Sequence, residues 1–366
     1  MSSTLAEELA ARIRREGRIT FRDWMEAALY HPTLGYYNRA DLKRWGREGD
    51  YRTSPERSEL FAATFARLFV SLYERLNRPE VFTIIEFGGG EGHFAAGVLE
   101  SLEKLSSAMF ASTRFVSVEL SQDARSRTAE RLHRFLDRVE FAQLSELSPI
   151  KAGVVFSNEL LDAFPVHRVT SVGSKLKELF VILDDNSNFV WQAEELSSER
   201  LKEFCESEVP QLTEGQVVEV NLAIDDWFKA LSTKILKGYV VTVDYGAEST
   251  ELYSSPVRDK GTLRAFQRHS FVDDVLVDPG EYDITTTIDW TVVKNMGRRY
   301  GFELERFESL DSFLIEAGAL EELESRLTSA HSEAEKSSLT TAAREMILPS
   351  GMAAHFQVLI QRRQTT

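Results

Sequence analysis

The sequence predicts an α/β fold in which a mostly parallel, doubly wound β-sheet carries helices on both faces. From residue 81 to residue 157, short apolar segments alternate with longer segments of helical periodicity. The first apolar segment, Val81 to Phe87, is nearly uncharged, as expected of a parallel strand buried on both faces. It ends in a turn with four glycines before a helical pattern resumes at His93, an arrangement that is typical of nucleotide-type ligand sites.

The segments before the sheet are predicted to be helical, with one long loop. Residues 4–30 are predicted to form two helices, with Thr20 capping the second. Residues 31–57 form an irregular stretch, and a loop of that length is usually functional. Residues 58–77 are predicted to form an amphipathic helix, whose apolar face comprises Leu60, Phe61, Phe65, Leu68, Phe69 and Leu72.

The alternation of strands and helices continues to the end of the chain, with one interruption. The first half of the sheet is predicted from strands 81–87, 114–119, 139–141 and 153–157 and helices 92–105 and 122–135. After residue 165, alternating apolar residues predict a β-rich insertion. The second half is predicted from helix 222–236, strand 238–244, helix 289–300, strand 302–307, a helical segment 309–346 and strand 355–361. A late, hairpin-like pair of strands favours the Rossmann-like sheet of a class I methyltransferase over that of a dehydrogenase.

These elements predict a domain scheme. Residues 1–78 would form N-terminal helices and a lid, and 165–215 the β-rich insertion. Residues 79–164 and 216–366 would form the core, with a C-terminal helical insertion at 309–346. The sequence leaves the oligomeric state open, although the strand edges of the 165–215 insertion could pair two copies into a homodimer.

Composition and charge exclude several function classes. The chain has 366 residues, and its 43 basic and 58 acidic side chains give a net charge of -15, which argues against nucleic acid as partner. Cys205 is the single cysteine, so an intramolecular disulfide and a multi-cysteine metal site are excluded. No metal-ligand spacing, nucleophile elbow, long apolar run or secretion signal occurs, and we expect a cytoplasmic protein without a metal or a membrane span.

The spacing of the glycines leaves two kinds of ligand open. Gly88, Gly90 and Gly92 form G-x-G-x-G, whereas a shifted frame that ends at Ala95 gives the G-x-G-x-x-A of a dinucleotide site. Glu86 lies two residues before the first glycine, and its carboxylate would repel a pyrophosphate but attract an ammonium group. Glu86 therefore favours S-adenosylmethionine, although partnership with a helix dipole is the alternative for this residue.

A second acid follows the next predicted strand. Glu119 ends the apolar run RFVSVE and precedes Ser121, a suitable helix N-cap. Such an acid can accept hydrogen bonds from both ribose hydroxyls of a nucleoside-bearing cofactor. The alternative is an exposed acid at a strand end.

Several long motifs occur in an order that resembles the MidA-like methyltransferases, the family of the mitochondrial complex I assembly factor that methylates an arginine. They are ALYHPTLGYY at 28–37, GDYRTSPE at 49–56, EFGGGEG at 86–92, SNELLDAFPVHR at 157–168, VTVDYG at 241–246 and FVDDVLVDPGEYDIT at 271–285. The family's glycine turn commonly reads E-L-G-P-G-R-G, whereas Gly89 and Glu91 replace its proline and arginine here. This departure predicts a looser, more acidic turn, and an inactive relative is an alternative.

The resemblance implies an S-adenosylmethionine-dependent protein arginine N-methyltransferase acting on a protein subunit, such as one of respiratory complex I. It points first to Glu159 as catalytic. Glu159 and Asp162 are three residues apart, and on a first helical turn they would share a face and could grip a guanidinium in bidentate fashion. Asn158 would hold the loop or touch the cofactor, and helix capping by these residues is the alternative. His167 is expected to be a supporting polar group or a solvent-facing strand residue.

Further residues are predicted to shape the two ligand sites. The lid would contribute the aromatic residues Tyr36 and Tyr37, whose alternative role is packing against helix 58–77, together with Asp50, Thr53 and the cofactor-side residue Ser54. Asp244 and Tyr245 end a buried strand and would line the acceptor pocket or anchor a loop. The rival functions are a small-molecule methyltransferase, a non-catalytic assembly protein and, more distantly, an NAD-dependent dehydrogenase.

Overall fold

The computed structural model describes residues 4–39, 42, 59–267, 270–348 and 350–363. Its helices are α1 (Leu5–Glu16), α2 (Phe21–Tyr30), α3 (Glu59–Arg75), α4 (His93–Leu105), α5 (Ser107–Ser112), α6 (Gln122–Arg131), α7 (Glu199–Glu208), α8 (Leu222–Lys234), α9 (Ser249–Ser254), α10 (Trp290–Arg299), α11 (Leu310–Glu316), α12 (Ala319–Ser329) and α13 (Glu333–Ile347). Its strands are β1 (Ile19–Thr20), β2 (Phe82–Phe87), β3 (Thr113–Val118), β4 (Val139–Phe141), β5 (Gly153–Asn158), β6 (His167–Val172), β7 (Lys175–Leu183), β8 (Phe189–Glu194), β9 (Val217–Val220), β10 (Gly238–Asp244), β11 (Gly246–Ala247), β12 (Arg264–Gln267), β13 (Ser270–Val272), β14 (Asp283–Thr285), β15 (Ile288–Asp289), β16 (Glu303–Ser309) and β17 (Gln357–Arg363).

The chain divides into two compact units. The first comprises Met1–Tyr51, Leu161–Trp227 and Ala247–Met296, and the second comprises Arg52–Leu160, Phe228–Gly246 and Gly297–Thr366. The domain scheme predicted from the sequence cuts the chain at other places and stays a prediction.

The second unit is built on a seven-stranded sheet in the order β16-β17-β10-β5-β2-β3-β4. The strands from β10 to β4 are parallel, whereas β17 runs antiparallel to both β10 and β16. From β2 the chain builds outward to β3 and β4, then returns to add β5 and β10 on the other side. This reversal at β2 is the switch point at which open α/β sheets bind ligands. The predicted class I methyltransferase sheet is confirmed, including its late antiparallel strand.

The core of the second unit forms where α3 and α4 cover the sheet. Phe94 of α4 stacks on Phe156 of β5 with ring centroids 4.0 Å apart, and Phe65 of α3 lies against both rings. The apolar face predicted for α3 is buried except at Leu68, which is half-buried against the same cluster. Burying each such ring stabilises the fold by about 2 to 3 kcal/mol.

The first unit packs α1 and α2 against an antiparallel sheet. Strands run in the order β9-β6-β7, and β1 and β8 both pair with β7. Thr20 caps α2 as predicted, because its hydroxyl accepts a 3.1 Å hydrogen bond from the main chain of Asp23. No helix among the described residues has the length and apolar character needed to cross a membrane.

Some predicted elements differ from the structure. The β-rich character of 165–215 is confirmed by β6, β7 and β8, but helix α7 and the small sheet β13-β12-β14 were not predicted. Helix α7 is capped by Ser198 and buries only a narrow stripe, so its periodicity is weak in the sequence. The helix predicted over 122–135 ends at Arg131 and gives way to a 3-10 turn, His133–Phe135.

Candidate active site

The glycine turn after β2 adopts a backbone conformation that is unfavourable for residues with a side chain. Gly88, Gly90 and Gly92 have φ angles of 65°, 54° and 76°, in the left-handed region that favours glycine. Gly89 and Glu91 lie outside that region, so the two positions that depart from the family pattern are those where the backbone tolerates a side chain. Gly89 is restricted in another way, because a Cβ there would lie 2.7 Å from Oε2 of Glu86.

The acid that follows β3 is bound to this turn. Oε2 of Glu119 accepts a 3.2 Å hydrogen bond from the main-chain N–H of Gly90, and Oε1 accepts one of 2.9 Å from Ser121. Ser121 caps α6 as predicted. Glu119 is half-buried, so the alternative of an exposed strand-end acid is wrong. Its predicted contact with ribose stays a prediction.

Glu86 is a buried acid with an unsatisfied oxygen. The residue is only 3% exposed, and its Oε2 has no hydrogen-bond partner among the described residues. Burial, and to a smaller extent repulsion by the nearby Glu119 carboxylate, raise the pKa of the Glu86 carboxyl to about 8. A cationic group placed here would lower the cost of ionising Glu86. The orphaned oxygen and the open glycine turn therefore fit the ammonium-bearing S-adenosylmethionine.

The motif that follows β5 is not the helical turn that its spacing predicts. Glu159 has a φ of 51°, unusual for a residue with a side chain, and the 3-10 turn that follows begins only at Leu161. Its main-chain N–H donates a 3.0 Å hydrogen bond to the carbonyl of Val243, and its Oε1 accepts one of 2.9 Å from Nδ2 of Asn158. The prediction that Glu159 and Asp162 share a first helical turn is wrong, because the left-handed residue precedes the turn. Asn158 binds its neighbour rather than capping a helix.

Asp162 falls in the first unit and is 4% exposed. Its main-chain carbonyl accepts hydrogen bonds of 2.9 Å from the N–H and 3.3 Å from the hydroxyl of Thr286. Asp162 thus helps fix the motif's backbone within that unit, and its catalytic role stays a prediction.

The last two residues of the motif, His167 and Arg168, stabilise the antiparallel sheet of the first unit. His167 is buried, and its Nδ1 lies 2.7 Å from Oε1 of Glu178, so the solvent-facing alternative for this residue is wrong. Arg168 donates a 3.1 Å hydrogen bond to Glu219 within the same antiparallel sheet. These two pairs bind β6 to its neighbours.

The last predicted acid at the sheet is Asp244, the final residue of β10. Asp244 is fully buried, and its Oδ1 accepts a 2.9 Å hydrogen bond from the main chain of Tyr245. The Tyr245 ring lies against Phe356, with ring centroids 5.6 Å apart. Both residues are therefore anchored, which agrees with the alternative that they anchor a loop. Their contact with the acceptor stays a prediction.

These residues lie at one edge of the sheet of the second unit. Strands β3, β2, β5 and β10 are parallel neighbours, so their carboxyl ends lie side by side. That edge brings together four acids, Glu86, Glu119, Glu159 and Asp244. An edge of this composition suits cationic ligands.

The predicted lid residues are partly outside the described part of the chain. Asp50, Thr53 and Ser54 lie outside the described residues. Tyr36 is fully buried in the core of the first unit, so it offers no exposed ring to a substrate. Tyr37 is half-buried, its hydroxyl donates a 2.7 Å hydrogen bond to Asp283, and its contact with the substrate stays a prediction.

The sequence did not predict the residues of α6 that donate hydrogen bonds to the carbonyls of the glycine turn. Thr128 of α6 donates a 2.9 Å hydrogen bond from its hydroxyl to the carbonyl of Gly90. Arg131 donates one of 2.8 Å to the carbonyl of Glu91. The only signal available was that these residues share one face of a predicted helix.

Comparison with known proteins agrees with this geometry. Residues 64–308 match the family described as "Putative S-adenosyl-L-methionine-dependent methyltransferase". The mitochondrial protein arginine methyltransferase NDUFAF7 homolog of Drosophila melanogaster is 28% identical over 81% of this chain and 71% of its own. The Homo sapiens protein arginine methyltransferase NDUFAF7 is 25% identical over 80% of this chain and 69% of its own.

A solved structure is similar over nearly the whole chain. It is a COG1565 superfamily member from Burkholderia thailandensis bound to S-adenosyl-homocysteine, 29% identical, with a TM-score of 0.87 over 99% of this chain and 92% of that one. The family match spans more than half of the chain and includes the glycine turn, Glu119 and the motif after β5. The chain is therefore an S-adenosylmethionine-dependent methyltransferase of the MidA-like family.

Proposed function

We propose that this methyltransferase acts on an arginine nitrogen of a protein subunit. The observation that carries the proposal is the acidic carboxyl edge of the sheet, where Glu159 is held by two hydrogen bonds beside the glycine turn. A guanidinium is always protonated, and a fixed carboxylate is its natural partner. The names of the fly and human relatives and the net charge of -15 support the same acceptor.

Methyl transfer from a sulfonium is an in-line displacement, so the protein contributes mainly alignment and electrostatics. When bound, S-adenosylmethionine supplies the methyl group, its sulfonium sulfur leaves as the neutral thioether of S-adenosylhomocysteine, and the methylated nitrogen loses one proton to solvent. Glu159 would accept N–H hydrogen bonds from the guanidinium and draw positive charge away from the attacking nitrogen. Asn158 would orient Oε1 of Glu159 for this task, because its amide already donates to that oxygen.

The acidic residues of the edge would have different tasks. Glu86 would meet the positive charge of the donor, and Glu119 would hold the ribose while it retains the N–H of Gly90. Glu159 would then serve the acceptor. The left-handed conformation of Glu159 costs about 1 to 3 kcal/mol, a strain that is frequent at functional sites.

The test is transfer of isotope-labelled methyl groups to proteins extracted from the source cells, with respiratory-complex subunits as the first acceptors. Mass spectrometry should place the label on arginine. Glu159→Gln should lower the transfer rate about 100-fold or more while S-adenosylmethionine affinity changes less than about threefold. Glu100→Gln is the matched control, because Glu100 is an exposed acid of α4.

Two outcomes would contradict the proposal. Label on lysine or on a small molecule would replace arginine as acceptor, and the small-molecule function would then be preferred. Full activity of Glu159→Gln would show that the carboxylate does not hold the acceptor.

A further inference from the structure

The C-terminal half of helix α6 contacts the glycine turn. The Thr128 hydroxyl and the Arg131 guanidinium donate hydrogen bonds to the carbonyls of Gly90 and Glu91, at 2.9 and 2.8 Å. A Cβ on Gly92 would lie 2.7 Å from the Thr128 side chain, so the helix packs directly on the turn. The turn therefore has little room to move on this side.

Charge reinforces the contact. The Glu91 carboxylate forms an ion pair with Arg127, and its Oε2 lies 3.8 Å from Nη2 of Arg131. Arg127 is also held by Asp123, 3.0 Å away on the same helix. The Glu91 side chain is 17% exposed, against 46% for Arg127, so the carboxylate is the better shielded partner.

The same helix is connected to Glu119, the acid that accepts the N–H of Gly90. Ser121 caps α6 and donates to Oε1 of Glu119, while Oε2 of Glu119 accepts the N–H of Gly90. The glycine turn, Glu119 and α6 thus form a closed ring of contacts. Within this ring, Glu91 is the one turn residue whose side chain contributes a charge.

We infer that Glu91 is a positioning residue for donor binding, which fixes the glycine turn to α6 through Arg127 and Arg131. The turn contains three glycines in left-handed conformations, and such a backbone loses much conformational entropy when it is ordered. A turn that is ordered before the ligand arrives binds more tightly, because this cost is already met. Glu91 acts through the backbone of the turn and is assigned no contact with the reacting atoms.

This role predicts an effect on affinity that exceeds the effect on turnover. Glu91→Gln should weaken binding of S-adenosylmethionine and of S-adenosylhomocysteine by about threefold each, as for a partly exposed ion pair. Glu91→Arg should weaken both about tenfold, because like charges then replace the attraction. The rate at saturating donor should change less than the affinity, so the KM rises with little change in kcat.

A charge-swap pair separates positioning from simple misfolding. Adding Arg127→Glu to Glu91→Arg should recover at least half of the lost free energy of S-adenosylmethionine binding. The control is Glu130→Arg, which reverses a charge at an exposed position of the same helix. This variant should bind S-adenosylmethionine as the unaltered protein does. Calorimetric titration measures binding, and the melting temperature without ligand checks the fold.

Unaltered affinity in Glu91→Arg, or equal losses of kcat and affinity, would overturn the inference. Loss of binding in Glu130→Arg would do so as well, because the effect would then come from the net charge of the helix. If Glu91→Arg does not fold, Glu91→Gln decides, and binding equal to that of the unaltered protein overturns the inference.

Discussion

Replacing Glu86 by glutamine removes an ionisable carboxyl from the buried end of β2 and leaves its size nearly unchanged. In the folded, ligand-free protein the pKa of Glu86 is raised from about 4.5 to about 8, first by burial and then by repulsion from Glu119. The carboxyl is therefore mostly neutral at pH 7. An unfolded chain would hold the same carboxyl ionised.

The sign of the effect on stability follows from the protons bound in each state. Between pH 4.5 and pH 8 the folded protein binds one proton more than the unfolded chain at Glu86. The free energy of unfolding therefore falls as the pH rises through this window, by about 1.4 kcal/mol per pH unit. Over the whole window the loss is at most about 5 kcal/mol. Below and above the window the contribution of Glu86 no longer changes with pH.

The Glu86→Gln variant lacks this dependence. We expect its free energy of unfolding, minus that of the unaltered protein, to grow steadily from pH 5 to pH 8. Urea unfolding of both proteins without ligand, at four pH values, measures the difference, and other titrating groups cancel because they are shared. Buried amide hydrogens add only a constant offset. A difference that is the same at pH 5 and pH 8 would refute the argument that Glu86 is held neutral.

Two further predictions concern residues on either side of the ligand. Glu119→Ala removes the acceptor of the Gly90 N–H, and we expect S-adenosylmethionine to bind at least about tenfold more weakly, as measured by calorimetry. Unchanged affinity would show that Glu119 neither holds the glycine turn nor binds the ribose. Glu178→Ala leaves His167 buried beside an empty position and deprives the Ser197 N–H of its 2.7 Å acceptor, so we expect a loss of about 3 kcal/mol in the free energy of unfolding. The control Glu195→Ala breaks an exposed pair with Lys177 and should leave the melting temperature unchanged, and equal effects of the two variants would contradict the role of burial.

The sheet could be predicted because its signals are local. The parallel strands β2, β3, β5 and β10 are short apolar runs with an acid at or just after the end, and the order of such runs fixes the carboxyl edge. Glu86, Glu119 and Asp244 are predicted in this way, since each lies at or just after the end of a predicted strand, whereas the family resemblance is what points first to Glu159. The left-handed positions of the turn could likewise be predicted, because each is a glycine in the sequence.

The misplaced and missed features depend on contacts distant in sequence. The spacing of Glu159 and Asp162 predicts a helical turn, but the N–H of Glu159 binds Val243 and the backbone turns left-handed instead. Thr128 is an ordinary residue of a polar helix until the packing of α6 brings its hydroxyl to Gly90, 38 residues earlier in the chain. No local pattern carries either fact.

The acids at the carboxyl edge differ in the hydrogen bonds that their carboxyl groups already accept. This difference determines which acid responds most to a cationic donor. Glu119 accepts the main-chain N–H groups of Gly90 and Ser121, and Asp244 accepts that of Tyr245, so main-chain donors already contact both carboxyl groups before any ligand binds. Glu86 has an orphaned, buried oxygen and a pKa raised to about 8. A positive charge that enters the site therefore gains most by ionising Glu86, and donor binding should release a proton at pH 7. Calorimetry in two buffers of different ionisation enthalpy counts that proton, and the Glu86→Gln variant should release none.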